Sequence, residues 1–141
     1  MITIPYNKTV RMIWANFGVE SHPIHVHGHT FFVVATGYGG YDRKTGFVIT
    51  TSPDLSCRKD GSDNTSFSEE QCTTLHWRRG HKPSIRVNPY TLRKDTVIIP
   101  SGGYVVIEFL SNNPGFWFLH CHIEPHMMEG MAIVLDIAEE W

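Results

Sequence analysis

The 141-residue sequence predicts an all-β sandwich or barrel carrying one long surface insertion, on two observations. Apolar and β-branched residues come in short runs bounded by Gly, Pro and Asn, which is the strand signal. Between Gly37 and Lys94 that pattern dissolves into a stretch rich in Gly, Ser, Thr, Asp and charge. Short strands separated by turn signals each have an apolar face to bury, and they bury it by stacking as two sheets or by closing into a barrel. With 41% hydrophobic residues a chain of this length builds a single core, so one domain is expected.

The expected strands are Thr9 to Phe17, Thr30 to Ala35, Thr96 to Ile99, Tyr104 to Leu110, Phe116 to His120 and Met131 to Ile137. Ser101-Gly102-Gly103 and Asn112-Asn113-Pro114-Gly115 read as turns, the second joining its two flanking strands into a hairpin. One short helix is expected near Glu124 to Glu129, because Pro125 suits a first-turn position. The stretch from Gly37 to Lys94 is too long for an ordinary connection, so it reads as an insertion with some structure of its own, outside the barrel. There is no internal repeat and no low-complexity tract.

A net charge of −2 gives no basic field for nucleic acid and no acidic tail. No apolar run approaches the length of a membrane span, and Met1 to Val10 lacks the apolar stretch of a signal peptide. Of the three cysteines, Cys121 lies between two histidines, which leaves Cys57 and Cys72 as a disulfide pair. Closing a loop of about 15 residues stabilises by roughly 3 kcal/mol in the chain-entropy view. With the sequons Asn7-Lys8-Thr9 and Asn64-Thr65-Ser66, the pair points to a secreted protein or a secretory lumen.

Six of the nine histidines fall into two clusters: His22, His25 and His27 near the start, and His120, His122 and His126 near the end, with Cys121 inside the second. Imidazole and thiolate are ligands copper favours, and two histidines with one cysteine and a weak axial methionine make a blue-copper centre. The second cluster supplies Cys121, His126 and Met131, and the first supplies a histidine. Residues two apart on a strand face the same side. In His120-Cys121-His122 the sulfur therefore points to one site and its flanking imidazoles to another, leaving a route of a few bonds between them. His29, His76 and His81 lack ligand spacing and read as solvated or ordinarily hydrogen-bonded.

The stretches HPIHVHGHTFFVV and GFWFLHCHIEPHMMEGMAIVL resemble the two copper motifs of the C-terminal cupredoxin domain of multicopper oxidases, closest in style to animal laccases. The resemblance covers nearly the whole chain and implies a cupredoxin-like Greek-key sandwich or barrel. It implies that His22, Cys121 and His126 bind type 1 copper with Met131 axial, and that His25 binds type 2 copper. His27, His120 and His122 would bind the type 3 pair. Glu124 matches a carboxylate that in some relatives assists proton delivery to reduced oxygen.

The family's trinuclear cluster takes eight histidines, four of them from two His-x-His pairs of an N-terminal cupredoxin domain, and this sequence has no further such pair. The chain is thus expected to be the last domain of a larger oxidase, its missing ligands supplied by the same or another chain. Such an enzyme takes electrons from a small reducing substrate, a phenol or diamine, and delivers them to oxygen. One alternative is a ferroxidase-type metal oxidase, which wants acids beside the type 1 histidine, where Glu20 is the one close in sequence. Another is a stand-alone blue-copper carrier, which has no use for His25, His27, His120 and His122.

Overall fold

The computed structural model of the protein describes residues 1–61, 72 and 74–138. Among these the strands run, in chain order, β1 (Ile2–Pro5), β2 (Thr9–Ala15), β3 (His22–Val26), β4 (Phe31–Gly37), β5 (Gly40–Tyr41), β6 (Val48–Thr50) and β7 (Leu55–Ser56), then β8 (His76–Trp77), β9 (Arg93–Lys94), β10 (Thr96–Ile99), β11 (Tyr104–Leu110), β12 (Gly115–Cys121) and β13 (Ala132–Ala138). A single-turn helix, α1 (Glu124–Met128), with Pro125 in its first turn, separates the last two strands. Two sheets carry the fold, ordered β1-β13-β12-β3-β10 and β2-β11-β4-β9.

Period-two alternation explains how the sheets face each other. Ile24 and Val26 of β3, Leu135 and Ile137 of β13 and Cys121 of β12 point into one core with Phe31, Val105, Ile107 and Phe109 of the other sheet. Burying each of the larger of these side chains stabilises by about 1.5–3 kcal/mol. The intervening residues Phe116 and Phe118 of β12 lie on the outer face, 72% and 37% exposed.

Strand β11 departs from alternation: Tyr104, Val105, Val106 and Ile107 are all buried. The insertion is the reason, since Leu55, Leu75, Trp77 and Ile85 pack on Tyr104 and Val106 and form a second core on the outer side of the four-stranded sheet. The 37–94 stretch is therefore not merely appended outside the barrel. It forms two small two-stranded sheets, β5-β6 and β7-β8, and its last residues, β9, pair with β4 as an edge strand. Cys57 and Cys72 are disulfide-bonded, with Cα atoms 5.3 Å apart. Asn7 of the first sequon is exposed in a tight turn with φ of 55°, and Asn64 lies outside the described residues.

Two expectations are corrected. Asn112 to Gly115 does not close a hairpin: β11 belongs to the four-stranded sheet and β12 to the five-stranded one, so the turn arches between layers. The strands tell why, because β11 fills its lateral positions with β2 and β4 while β12 pairs with β13 and β3. Second, His29 is buried rather than solvated. It is 8% exposed, its ring nitrogens have no side-chain partner among the described residues, and its ring sits edge-on to Phe109 and Trp117.

Candidate metal centre

Three separated pieces of chain converge at one end of the sandwich. His22 opens β3, Cys121 closes β12 and His126 lies on α1. Antiparallel pairing sets Cys121 opposite Ile24, so its sulfur falls on the inward face that His22 shares with Ile24 and Val26. Cys121 is a free, fully buried thiol. Its Sγ lies 3.8 Å from His22 Nδ1 and 3.9 Å from His126 Nδ1, and the two Nδ1 atoms are 3.2 Å apart. The circle through these three atoms has a radius of about 2.1 Å, within the roughly 2.0–2.3 Å span of bonds from a first-row transition ion to nitrogen and sulfur. A trigonal N₂S donor set therefore fits one such ion, and imidazole and thiolate are donors that both copper and zinc accept.

Burial first, and then the neighbouring His126 ring, hold the His22 imidazole below its ordinary range, against an opposing pull from Glu20. A neutral imidazole is the form that can ligate. Glu20 Oε2 lies 3.3 Å from His126 Nε2, on the far side of that ring from the donor triangle. Met131 is held through its backbone, its N–H donating to the His126 carbonyl and its carbonyl accepting from the Cys121 N–H, both at 2.9 Å.

The remaining clustered histidines lie on the opposite, outer face of the five-stranded sheet. His25 and His120 are direct cross-strand partners. His25 Nδ1–H donates to the Asp95 carbonyl at 3.0 Å, with Thr96 Oγ1 at 2.9 Å, which leaves its Nε2 as the open donor. His120 Nδ1–H donates to the Cys121 carbonyl at 2.9 Å, which turns its bare Nε2 toward His27 Nε2, 3.1 Å away. Phe118 stacks on His120 with ring centroids 4.8 Å apart. His122 stands 5.6 Å from His120 and 5.9 Å from His25, centroid to centroid. Burial, followed by His25, His120 and His122, lowers the pKa of His27.

Among the described residues the His22, Cys121 and His126 set is the one group of three such donors within 4.8 Å of one another. The four outer histidines gather without closing on a point. A cavity of about 610 Å³ lined by His25, His27, His29, Arg93 and Asp95 opens beside them. Glu124 is exposed at the start of α1, and its carboxylate makes no hydrogen bond or ion pair among the described residues. Sequence reasoning missed Asn16, whose amide holds the Glu20 main chain, because an Asn four residues before Glu20 carries no metal signal.

The sequence model of the family described as "Multicopper oxidase" matches residues 1–140. A rice protein (Oryza sativa subsp. japonica), Laccase-25, is 31% identical over 140 residues, covering 97% of this chain and 18% of that protein. Laccase-6 of the same organism is 34% identical over 138 residues, covering 96% of this chain and 18% of its own length. The solved structure of Fet3p, a multicopper oxidase that functions in iron import, superposes with a TM-score of 0.64 at 27% identity, over 99% of this chain and 21% of that one. The chain spans about a fifth of the length of these relatives. An all-β sandwich of this topology, a converged N₂S donor set and a family match along nearly its whole length together mean that the chain belongs to the multicopper oxidase family.

Proposed function

We propose that this chain is the C-terminal cupredoxin domain of a secreted, laccase-like oxidase, in which His22, Cys121 and His126, with Met131 as axial ligand, hold a type 1 copper. The observation that carries the reading is the donor triangle, whose size suits one ion. Copper bound there supplies reversible one-electron redox chemistry. The sandwich then does two jobs. It holds His22 and Cys121 at paired strand ends and brings His126 in on α1, and it sets Cys121 between His120 and His122 so that the sulfur on the inner face is one residue from imidazoles on the outer face.

His25 would serve the type 2 ion, and His27, His120 and His122 the type 3 pair. Supporting this division, donation from Nδ1 of His25 and His120 leaves Nε2 of each without a proton, the form that can ligate. These four are half of a trinuclear set, so a second cupredoxin domain must cover the outer face and bring the remaining histidines. The exposed Phe116, Phe118 and Ile98 on that face supply apolar area for it. Glu124 would relay protons to oxygen as it is reduced. The reducing substrate is a small phenol or diamine.

A second reading, oxidation of a metal cation, is favoured by the Glu20 carboxylate at His126 Nε2, an acid placed where a cation could give up its electron. Comparing a phenol with ferrous ion as donors, in wild type and Glu20→Gln, separates the two: selective loss of the ferrous rate favours metal oxidation.

The test of the main reading is copper addition to the purified chain. An intense visible thiolate charge-transfer band, abolished in Cys121→Ser, is expected. The isolated chain should accept an electron from a phenol but consume oxygen slowly or not at all until the partner domain is added. A copper-replete protein with no such band would refute the type 1 assignment.

A further inference from the structure

The loop that delivers His22 is pinned by one buried amide. Asn16, just past β2, is 8% exposed. Its Oδ1 accepts the Gly18 N–H at 2.8 Å, and its Nδ2 donates to the carbonyls of Glu20, at 2.5 Å, and Pro100, at 3.3 Å. Its backbone N–H donates to the Gly103 carbonyl at 2.8 Å. The same 100–103 turn donates the Ser101 N–H to Ser21 Oγ at 3.0 Å and the Gly102 N–H to the Gly18 carbonyl at 3.0 Å. Residues 16–21 are thus stitched at both ends, and the tightest contact is on Glu20. The Glu20 main chain is fixed while its side chain, 69% exposed, reaches across to His126 Nε2 on α1.

We propose that Asn16 is a positioning residue of the metal centre: by fixing the Glu20 main chain it holds the Glu20 carboxylate against His126 and so aims His126 Nδ1 at Cys121 and His22. The inference rests on the copper reading above. An imidazole that ligates through Nδ1 carries its proton on Nε2, and a carboxylate facing that N–H locks both tautomer and ring rotation and makes the ring a better ligand. An exposed glutamate on an unfixed loop would spread over many rotamers, so the contact depends on the main chain beneath it. Asn is suited to the position because one side chain offers both the acceptor for Gly18 and the donor for Glu20.

The experiment is a double-mutant cycle on the full chain, using Asn16→Ser, Glu20→Ala and both together. Serine keeps a hydroxyl for the turn and loses the reach to the Glu20 carbonyl. Copper affinity is read by competition with a chelator, the spin-resonance spectrum of the blue site is recorded, and the metal-free proteins are melted. Each single change should weaken copper about 10-fold, the low end for loss of an outer partner, and the double change should also give about 10-fold rather than about 100-fold. Both singles should alter the copper hyperfine pattern in the same way. Equal factors for Asn16→Ser in the two Glu20 backgrounds, or no effect on copper, would overturn the proposal in favour of a purely structural role. Should Asn16→Ser fail to fold, Glu20→Ala decides alone, since unchanged affinity there leaves Asn16 nothing to act through. Absence of the blue band from the unaltered protein would overturn the copper reading, and this inference with it, and is recognised without any variant.

Discussion

Replacing Gly28 by alanine should cost this protein more than an ordinary glycine substitution, by an amount the geometry separates into two parts. Gly28 follows His27 and turns with φ of 69°, in the left-handed region, where a Cβ costs about 1–2 kcal/mol. A Cβ there would also lie 2.2 Å from Cε3 of Trp117. The indole is not free to retreat. Its N–H donates to the Asn113 carbonyl at 2.8 Å, and Asn113 Nδ2 in turn donates to the Gly28 carbonyl at 2.9 Å. Overpacking of this kind adds about 1–3 kcal/mol. Gly46 is the internal control, with φ of 74° and nothing within 4 Å of the place an alanine methyl would take. Gly46→Ala should therefore lose about 1–2 kcal/mol and Gly28→Ala about 2–5 kcal/mol. The assay is urea unfolding of the metal-free protein followed by tryptophan fluorescence, with slopes compared so that midpoints can be converted. Equal losses for the two variants would refute the close packing of Gly28 on Trp117.

Removing the disulfide by Cys57→Ser with Cys72→Ser should cost roughly 3 kcal/mol in denaturant unfolding, and an unchanged midpoint would show that the bridge constrains nothing. Tyr104→Phe removes a 2.8 Å hydrogen bond to the Asp54 carboxylate, which also faces His81 Nδ1 at 2.9 Å; about 1.5–3 kcal/mol should be lost, with the insertion becoming more sensitive to protease. Burial pushes the imidazoles of His22 and His29 below the ordinary range, so the unfolded chain binds protons first as pH falls. The metal-free protein should hold its stability above about pH 6.5 and lose it progressively below, seen as a falling melting temperature, whereas a flat profile down to about pH 5 would contradict the burial of these rings.

What the sequence determined by itself is the local chemistry. Short runs of apolar and β-branched residues over Tyr104–Leu110 and Ala132–Ala138 mark strands, and the spacing of His120, Cys121 and His122 puts sulfur and imidazoles on opposite faces of β12, because side-chain direction along a strand depends only on parity. The isolation of Cys57 and Cys72 was legible for a similar reason of simple counting. Strands β1 and β3 were less so: Ile2–Pro5 is four residues beside the chain start, and His22–Val26 reads as a metal motif before it reads as a strand. Tertiary structure alone decided which sheet each strand joins. Lateral pairing is a contest between distant segments, and the Asn112–Gly115 turn holds no information that β12 will prefer β13 and β3 to β11. It also decided that the insertion buries the second face of β11 and that His29 is enclosed between aromatic rings. Each of these is a matter of which side chains meet across dozens of residues, and local periodicity cannot encode it.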